Sequence, residues 1–333
     1  MNELKRADAV KLRRTLEQIP QNFGKSQKHR DISIERVIAK RKKDDKTLSR
    51  GTLDRHWNTI VSYIKWINRQ DEIEPLNIDR IFGGFRWGTD VPEPEERIEW
   101  DNKSIEILFA SPIWTGFMPD TKRRYWRHRP GAYIVADEYW WLPLLGIYHG
   151  GREDEYCWLT GKDIYEIDGI WVLDIHGPHL KTKSSKRIVP VHSAMIELGF
   201  LELVERSKGG RIFPAMKTGG RDEKYSHVYT KQFSDYRKRI GVRRDLMDYH
   251  SFRKNVTSKL LRAGVTILQA DEITGHDSKM RKEIKETQSV TLDYWGGFEL
   301  PQRRDAVELI QYPTIDLARL KADLAQARPF RWK

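Results

Sequence analysis

The chain has 333 residues, 38% of them hydrophobic and twelve of them tryptophan, which is enough for two domains with cores of their own and argues against general disorder. Sixty Lys and Arg against 48 Asp and Glu give a formal net charge of +12, which favours a polyanionic partner such as nucleic acid, the alternative being a solvated basic surface. The single cysteine, Cys157, excludes an intrachain disulfide and a cysteine-cluster metal site, and no stretch approaches the roughly 18 apolar residues of a membrane span.

The first third of the sequence predicts a small all-helical domain at residues 1–82. Apolar residues recur at helical spacing over 3–19, over 34–42 after an N-capping Ser33, and most clearly over 52–69, and a short helix near 77–82 closes the unit. Cations and one hydroxyl side chain near these helix ends are candidates for contacts with DNA phosphates, although a basic run can equally be a solvated helix end. The candidates are Lys40, Arg41, Lys43, Arg50, Thr52 and Arg55.

Glycines, prolines and acidic residues cluster over 83–100 without periodicity, which predicts a linker. The linker is either a hinge between two domains that close on DNA or a passive loop. The second domain then covers 101–333. It contains a basic run threaded with aromatic residues, which is either a nucleic-acid surface or a packed insertion. The candidates in that run are Lys122, Arg123 and Arg124.

The second domain reads as mainly α with a small antiparallel β-sheet. A buried helix is predicted at 134–149, with a kink at Pro143, and a further helix is predicted to end at Asp163-Ile164. Strands are predicted at 170–175 and 187–189. The other predicted helices are 101–112, 193–206, 227–240, 250–263, 266–275, 287–294 and 301–311. An apolar stripe from Ile315 to Leu324 predicts a C-terminal helix, which packs either on its own domain or on a neighbouring protomer.

His250 and Arg253 are spaced to face one target. Residues i and i+3 share a face of a helix, so an imidazole and a guanidinium can reach the same phosphate diester. The guanidinium offers two parallel donors to phosphate oxygens, and the imidazole can move a proton. Farther along the chain stand His276, after Gly275, and Tyr294, whose phenol is one of the groups that can act as a covalent nucleophile.

Five sequence boxes in a fixed order resemble the tyrosine recombinases, the phage-integrase family. The boxes are G-x-R-x-x-E at 150–155, K-T-x-x-S-x-R-x-V-P at 181–190, H-x-x-R at 250–253, G-H at 275–276 and T-x-x-Y at 291–294. The resemblance covers the last two thirds of the chain closely and the first third loosely. The sequence departs from the family at Lys254, where a second histidine is common, and in the long gap before Tyr294.

The resemblance implies a two-domain DNA clamp and a catalytic set composed of Arg152, Lys181, His250, Arg253, His276 and Tyr294. In that set the two arginines hold the scissile phosphate, and the hairpin lysine protonates the leaving 5′ oxygen. The first histidine mediates proton transfer, the second binds a non-bridging oxygen, and the tyrosine attacks phosphorus. Glu155 is expected to brace Arg152, one turn earlier. Lys183 and Lys186 remain alternatives for the lysine, and Tyr312 remains an alternative for the tyrosine.

The predicted function is therefore site-specific DNA recombination, as an integrase of a phage or genomic island, through a 3′-phosphotyrosyl intermediate. The expected partners are double-stranded DNA at attachment sites, other copies of the chain in a tetramer on DNA, and directionality or DNA-bending accessory proteins. No cofactor or metal is expected, since His176 and His179 lack partners at metal-ligand spacing. A bacterial cytoplasmic, nucleoid-associated location follows from this reading. The alternatives are a type IB topoisomerase-like nicking-closing enzyme, a DNA-binding regulator with a vestigial site, and a helical protein with coincidental boxes.

Overall fold

The computed structural model of the chain divides into two compact units, Met1–Glu96 and Arg97–Lys333. It describes residues 4–24, 32–42, 44–70, 76–89, 91–93, 95–119, 127–177, 180, 185–276, 278, 280–281, 283–284 and 296–327. Several predictions fall outside these residues: the helix at 287–294, and the candidates Lys43, Lys122, Arg123, Arg124, His179, Lys181, Lys183 and Tyr294.

The first unit is all-helical in its described residues. Its helices are α1 (Arg6–Glu17), α2 (Ile34–Ala39), α3 (Arg50–Ile67) and α4 (Ile78–Phe82). Side chains cap two of the short ones, since Ser33 accepts from the Arg36 amide and Asn77 accepts from the Arg80 amide. Trp57 of α3 packs against both apolar clusters of the unit, so this helix is the centre of the domain, as its wide apolar face predicts.

The segment predicted as a linker is packed at several apolar positions, although most of its described residues are exposed. Phe85 and Trp87 lie edge-on to the ring of Trp57, and Val91 is buried. The Trp87 indole donates to Asp54, which fixes the segment along α3. Apolar residues between its glycines and prolines account for this packing, because each can cover part of the helical core. The unit boundary falls between Glu96 and Arg97, inside the predicted linker.

The second unit is built around one large apolar core. Helix α7 (Glu138–His149) is buried along its whole length and continues through Pro143. Around it lie α5 (Asn102–Phe109), α6 (Pro112–Thr115), α8 (Glu153–Trp158), α9 (Ser193–Glu197), α10 (Phe200–Arg206), α11 (Ser226–Arg239), α12 (Ser251–Arg262) and α13 (Ile267–Thr274). A helix fully enclosed by others is expected to be apolar on every face, as α7 is.

A three-stranded antiparallel sheet with strand order β1-β2-β3 covers one side of the unit. The strands are β1 (Ile164–Ile167), β2 (Ile170–Ile175) and β3 (Arg187–Pro190), with Ile164 opposite Leu173 and Leu173 opposite Val189. The sequence interpretation missed β1 and placed a helix end there. Helix α8 in fact ends at Trp158, a 3₁₀ turn covers Gly161–Asp163, and the positive φ angles of Asp168 and Gly169 form the hairpin to β2.

The last helices are α14 (Leu300–Glu308) and α15 (Leu317–Ala325). Helix α15 packs on its own unit, where Leu320 is fully buried and Arg319 donates to the Phe109 carbonyl at 2.7 Å. In this structure the apolar stripe packs within the chain, and exchange with a neighbouring protomer stays a prediction. The single helix predicted at 193–206 is two helices, because Gly199 has a φ of 85° and ends the first of them.

The prediction of a mainly helical fold with a small antiparallel sheet is confirmed. Among the described residues, no helix has the length and apolar character that crossing a membrane requires.

Candidate active site

Arg152 lies at the start of α8, directly after the two glycines that end α7. Its guanidinium donates to Glu155 Oε1 at 2.6 Å and to Ser185 Oγ at 2.7 Å, and its amide donates to Glu155 Oε2 at 2.9 Å. The side chain is 28% exposed, so a phosphate oxygen can reach it from solvent. The predicted brace between Arg152 and Glu155 is present, and a residue from the base of the hairpin segment joins it.

Arg187 of β3 is a third arginine at this site, to which the sequence interpretation gave no role. It donates to Glu155 Oε2, to the Ser185 carbonyl and to the Ile273 carbonyl, at 2.7, 2.7 and 3.0 Å. Its side chain is only 5% exposed. One buried guanidinium thus ties the sheet to the start of α8 and the end of α13. The sequence signal that could have identified Arg187 is its place in the predicted strand, two residues before Val189 and therefore on the same buried face.

Two glycines of the sequence boxes make room for Arg187. A Cβ added at Gly151 would lie 2.5 Å from the Tyr156 hydroxyl and 3.0 Å from Arg187 Nη2, and one added at Gly275 would lie 2.5 Å from Arg187 Nη1. Gly275 also has a φ of 72°, a conformation that other residues adopt at a cost. Gly275 of the G-H box and Gly151, which precedes Arg152, are therefore needed for close packing around this side chain.

Arg253 reaches the same region from α12. Its guanidinium donates to the Thr274 carbonyl and, at 3.5 Å, to the Gly150 carbonyl. Burial, followed by the positive charges of Arg187 and Arg152, lowers the pKa of Arg253 to about 10. The group remains charged at neutral pH, but its charged form is disfavoured by neighbours of the same sign. A bound anion would relieve that repulsion.

Helix α12 is held against α7 at Gly146, where an added Cβ would lie 2.8 Å from the Tyr249 ring and 3.0 Å from Phe252. This close packing fixes the start of α12, where His250 precedes the first helical residue. Burial, then the charges of Arg97, Arg253 and Arg152, lower the pKa of His250 to about 4, and Asp248 opposes them. The imidazole is thus neutral at pH 7 and able to accept a proton.

His276 follows Gly275 at the end of α13. Its ring is 57% exposed, and its Nδ1 lies 3.8 Å from Asp271 Oδ1. The backbone amide of His276 donates to the Asp271 carbonyl at 3.1 Å. The backbone of His276 thus follows directly on the glycine that packs on Arg187, and its ring is open to solvent.

Tyr312, the alternative to Tyr294, lies in the core. Its ring packs edge-on to Tyr148, with Lys259 Nζ 4.3 Å from its centroid, and 4% of the residue is exposed. Burial raises the pKa of its phenol well above the ordinary value. A phenol in this environment is a poor nucleophile, which favours Tyr294. Of the alternative lysines, Lys186 is exposed beside the buried Arg187.

The described DNA-contact candidates of the first unit differ in their exposure and in their bonding partners. Lys40 and Arg55 are exposed. Arg50 instead donates to Glu93 at 2.6 Å, and Thr52 lies 3.3 Å from the Ser49 hydroxyl. Arg41 lines a depression with Asp44 and Asp45, where nearby acids weaken its attraction for phosphate. Arg55 and Lys40 are the better candidates of this set.

His176 bonds within the sheet region, with Nδ1 3.2 Å from Asp174 Oδ1 and Nε2 3.6 Å from Asp163 Oδ1. In the part of the chain that the structure describes, no group of three or more His, Cys, Asp or Glu side chains is arranged to hold a metal ion.

No protein-family model and no curated protein matches the chain. Among solved structures, a post-cleavage complex of the XerH site-specific recombinase with palindromic difH substrate is 17% identical, with a TM-score of 0.48 over 74% of this chain and 66% of that one. The integrase from mycobacterium phage Brujita is 16% identical, with a TM-score of 0.38 over 95% and 90%. XerA recombinase is 14% identical, with a TM-score of 0.37 over 89% and 85%.

These structures are recombinases and a phage integrase. They are of the kind that the sequence boxes resemble. The chain spans just under two thirds of the length of the XerH chain.

Proposed function

We propose that this chain is a site-specific tyrosine recombinase that cuts and rejoins double-stranded DNA through a 3′-phosphotyrosyl intermediate. The observation that supports this most is that Arg152 and Arg187, from distant parts of the chain, both bond to the Glu155 carboxylate, while the charge of Arg253 acts on the same groups. Among the described residues, three guanidinium groups around this one carboxylate leave an excess of positive charge at a partly exposed position. Such a site suits a phosphate diester.

The same excess charge favours the transition state over the bound substrate. Attack on a phosphodiester gives a pentacoordinate phosphorus that carries more negative charge than the starting diester. Guanidinium groups already held in place by Glu155, Ser185 and backbone carbonyls need no reorganisation to stabilise that charge. Removing one donor of this kind typically costs about 10²–10³ in rate.

Each cleavage step exchanges one bond for another. The Tyr294 phenolic oxygen bonds to phosphorus, and the bond from phosphorus to the 5′ oxygen breaks. The neutral imidazole of His250 takes up the phenolic proton, and Lys181 gives a proton to the 5′ oxygen. In rejoining, a 5′ hydroxyl attacks the phosphotyrosine and the phenol leaves. The energy of the cleaved bond is kept in the phosphotyrosine, so rejoining needs no ATP.

The proposal extends to the partners. A formal charge of +12 suits a chain that binds DNA, and affinity should fall steeply as salt rises. Exchange between two duplexes requires two cuts in each, which implies four copies of the chain on DNA. Integration of a phage or genomic island, with directionality or DNA-bending accessory proteins, is the reaction we assign to it.

A nicked suicide duplex tests the chemistry. When the nick lies just beyond the cleavage site, the short 5′-hydroxyl fragment diffuses away and the covalent adduct accumulates. We expect adduct from the unaltered chain and from Tyr312→Phe, but none from Tyr294→Phe. Loss of adduct in Tyr312→Phe with retention in Tyr294→Phe would reverse the assignment.

Two further results separate the other functions. A chain that binds DNA without ever forming adduct would be a regulator rather than an enzyme. Relaxation of supercoiled plasmid without joining of two partner sites would indicate a nicking-closing enzyme of the type IB topoisomerase kind. The attachment site of the host element is the substrate to use, since a random duplex can fail for lack of recognition.

A further inference from the structure

The segment Arg97–Trp100, with which the second unit begins, is bound along the helix that carries His250 and Arg253. We call this segment the strap. Its residues bond one after another to the stretch 246–262: the Ile98 amide donates to the Leu246 carbonyl at 3.0 Å, and Glu99 accepts from Ser258 at 2.6 Å and from Arg262 at 3.2 Å. The strap thus follows α12 for most of its length.

Trp100 anchors the strap in the core. Its backbone amide donates to Asn255 Oδ1 at 2.9 Å, and its carbonyl accepts from Asn255 Nδ2 at 2.7 Å, so one side-chain amide satisfies both backbone groups. Its ring stacks on Phe252, with centroids 4.9 Å apart, and its indole donates to the Asp248 carbonyl. A buried amide that pairs a backbone in this way leaves one register for the strap.

Arg97 and Lys254 bind the other end of the strap. The Arg97 Nε lies 3.0 Å from both carboxylate oxygens of Asp248, and Lys254 Nζ donates to the Arg97 carbonyl at 2.8 Å. Lys254 stands where the sequence departs from the family pattern. In this chain that side chain is used to hold the strap, one residue after Arg253.

These contacts place two opposite charges beside His250. Asp248 precedes His250 by two residues, and Arg97 is bound to it. The charged groups that act on the imidazole are Arg97, Arg253 and Arg152, which favour its neutral form, and Asp248, which favours its protonated form. Arg97 belongs to the strap, whereas the other three belong to the site itself or to the loop before α12.

We propose that the strap is a positioning element for His250: Arg97 pairs with Asp248, two residues before the imidazole, and Lys254 with Asn255 fixes the start of α12. This inference rests on the proposed function, since it assigns to His250 the proton-accepting role. It makes Arg97 a residue that acts on the reaction through His250 without touching DNA at the scissile phosphate.

The test is the titration of His250 in the full-length chain labelled with ¹³C,¹⁵N-histidine, with the signal assigned by its loss in His250→Gln. Arg97→Gln should raise the pKa of His250, because it removes a positive neighbour. Asp248→Asn should lower it, because it removes the one carboxylate. Lys254→Met keeps both of these charges and removes only the bond from Lys254 to the Arg97 carbonyl. Shifts of opposite sign in the first two variants are what a purely structural role cannot produce.

Single-turnover cleavage of the suicide duplex gives the second readout. The acid limb of the rate should move to higher pH in Arg97→Gln and return toward its original position in Arg97→Lys. Lys254→Met should lower the rate at every pH, by up to roughly 100-fold if the start of α12 moves by about 1 Å. An unmoved His250 pKa in both Arg97→Gln and Asp248→Asn overturns the inference. Shifted pKa values without cleavage by any variant, the unaltered chain included, would support the strap and overturn the proposed function.

Discussion

Arg187 and Glu155 form an ion pair at 2.7 Å in which only 5% and 4% of the two side chains are exposed. Burial alone would favour the neutral carboxyl, but the charges and hydrogen bonds of Arg187 and Arg152 outweigh it, so the pKa of Glu155 lies below its ordinary value. The carboxylate is thus held charged in the interior by two guanidinium groups. The carboxylate bonds directly to Arg152, which would bind the phosphate, and Arg187, which is too buried to be the first contact, holds the carboxylate in place.

Removing the Arg187 side chain should therefore lower the free energy of unfolding. Arg187→Met leaves Glu155 buried with one partner fewer and takes a donor from the Ser185 and Ile273 carbonyls. Breaking a buried pair from one side typically costs about 3–5 kcal/mol. Urea denaturation should show that loss in the free energy of unfolding. Arg206→Met is the matched control, since its pair with Glu202 is exposed and should be worth at most about 1 kcal/mol.

If Arg187→Met and Arg206→Met were equally mild, the pair around Glu155 would not stabilise the fold, and the argument that it fixes Arg152 would fail. A large loss for Arg206→Met would indicate a general sensitivity to lost arginines instead.

Gly275 offers a way to disturb Arg187 without removing its charge. Gly275 and Gly264 both follow helices with left-handed φ angles, 72° and 85°, but a Cβ at Gly275 meets the Arg187 guanidinium whereas one at Gly264 meets nothing within 4 Å. Gly264→Ala should cost only the backbone strain, about 1–2 kcal/mol. Gly275→Ala should cost more and should also slow cleavage, because Arg187 must move. Equal losses of unfolding free energy and unchanged cleavage in both variants would show that the close contact is unimportant.

The long helices could be predicted from the sequence because apolar periodicity and capping residues are local signals. Helix α3 was predicted at 52–69 and lies at 50–67. Strand β1 was not predicted, because it is only four residues long at the edge of the sheet and its pattern resembles a helix end. The division of the predicted helix into two at Gly199 was not predicted, because the apolar spacing continues on both sides of it.

For the site, motif order predicted which residues would be involved but not how they are held. The partners of Arg187 lie 32 residues before it and 86 residues after it, and no local pattern connects them. The packing of Trp100, at the end of the predicted linker, could not be predicted for the same reason. Asn255, whose side chain binds the Trp100 backbone, lies 155 residues away in the sequence. Contacts at such separations depend on the tertiary fold.

Tyr312 provides a test of core packing that also bears on the nucleophile. Among the described residues its hydroxyl has no hydrogen-bond partner, although it is buried. Tyr312→Phe keeps the ring contacts with Tyr148 and Lys259 and removes an unsatisfied polar group, so the melting temperature should stay level or rise. Tyr236→Phe is the control, because that hydroxyl pairs with Ser111 and with the Ile113 amide, and its loss should cost about 1 kcal/mol or more. A larger loss of stability in Tyr312→Phe than in Tyr236→Phe would mean that the Tyr312 hydroxyl has a hydrogen-bond partner.

Two buried histidines behind the site have their tautomers fixed by backbone groups. His149 Nε2 accepts from the His192 amide, so its Nδ1 carries the proton and donates to the Leu145 carbonyl. His192 Nδ1 accepts from the Ala194 amide, so its Nε2–H donates to the Ile310 carbonyl. Both ring nitrogens of each histidine are used, and a second proton on either ring would displace a backbone N–H. The neutral forms are therefore part of the fold.

Stability should consequently fall as the solution becomes acidic. Burial lowers the pKa of His149 to about 3, and burial also lowers that of His192. The unfolded chain takes up protons at these positions as pH falls through about 6.5, while folded His149 takes none until about 3, so the unfolded state binds more protons in between. Each pH unit of that window should remove at most about 1.4 kcal/mol per histidine from the free energy of unfolding.

Urea denaturation between pH 7 and 4 measures how steeply the free energy of unfolding falls with pH. His149→Gln keeps a hydrogen-bond acceptor and donor but cannot titrate, so the slope should shrink in that variant, whereas exchange of the exposed His56 for Gln should leave it as it was. An undiminished slope in His149→Gln would assign the acid sensitivity to other groups.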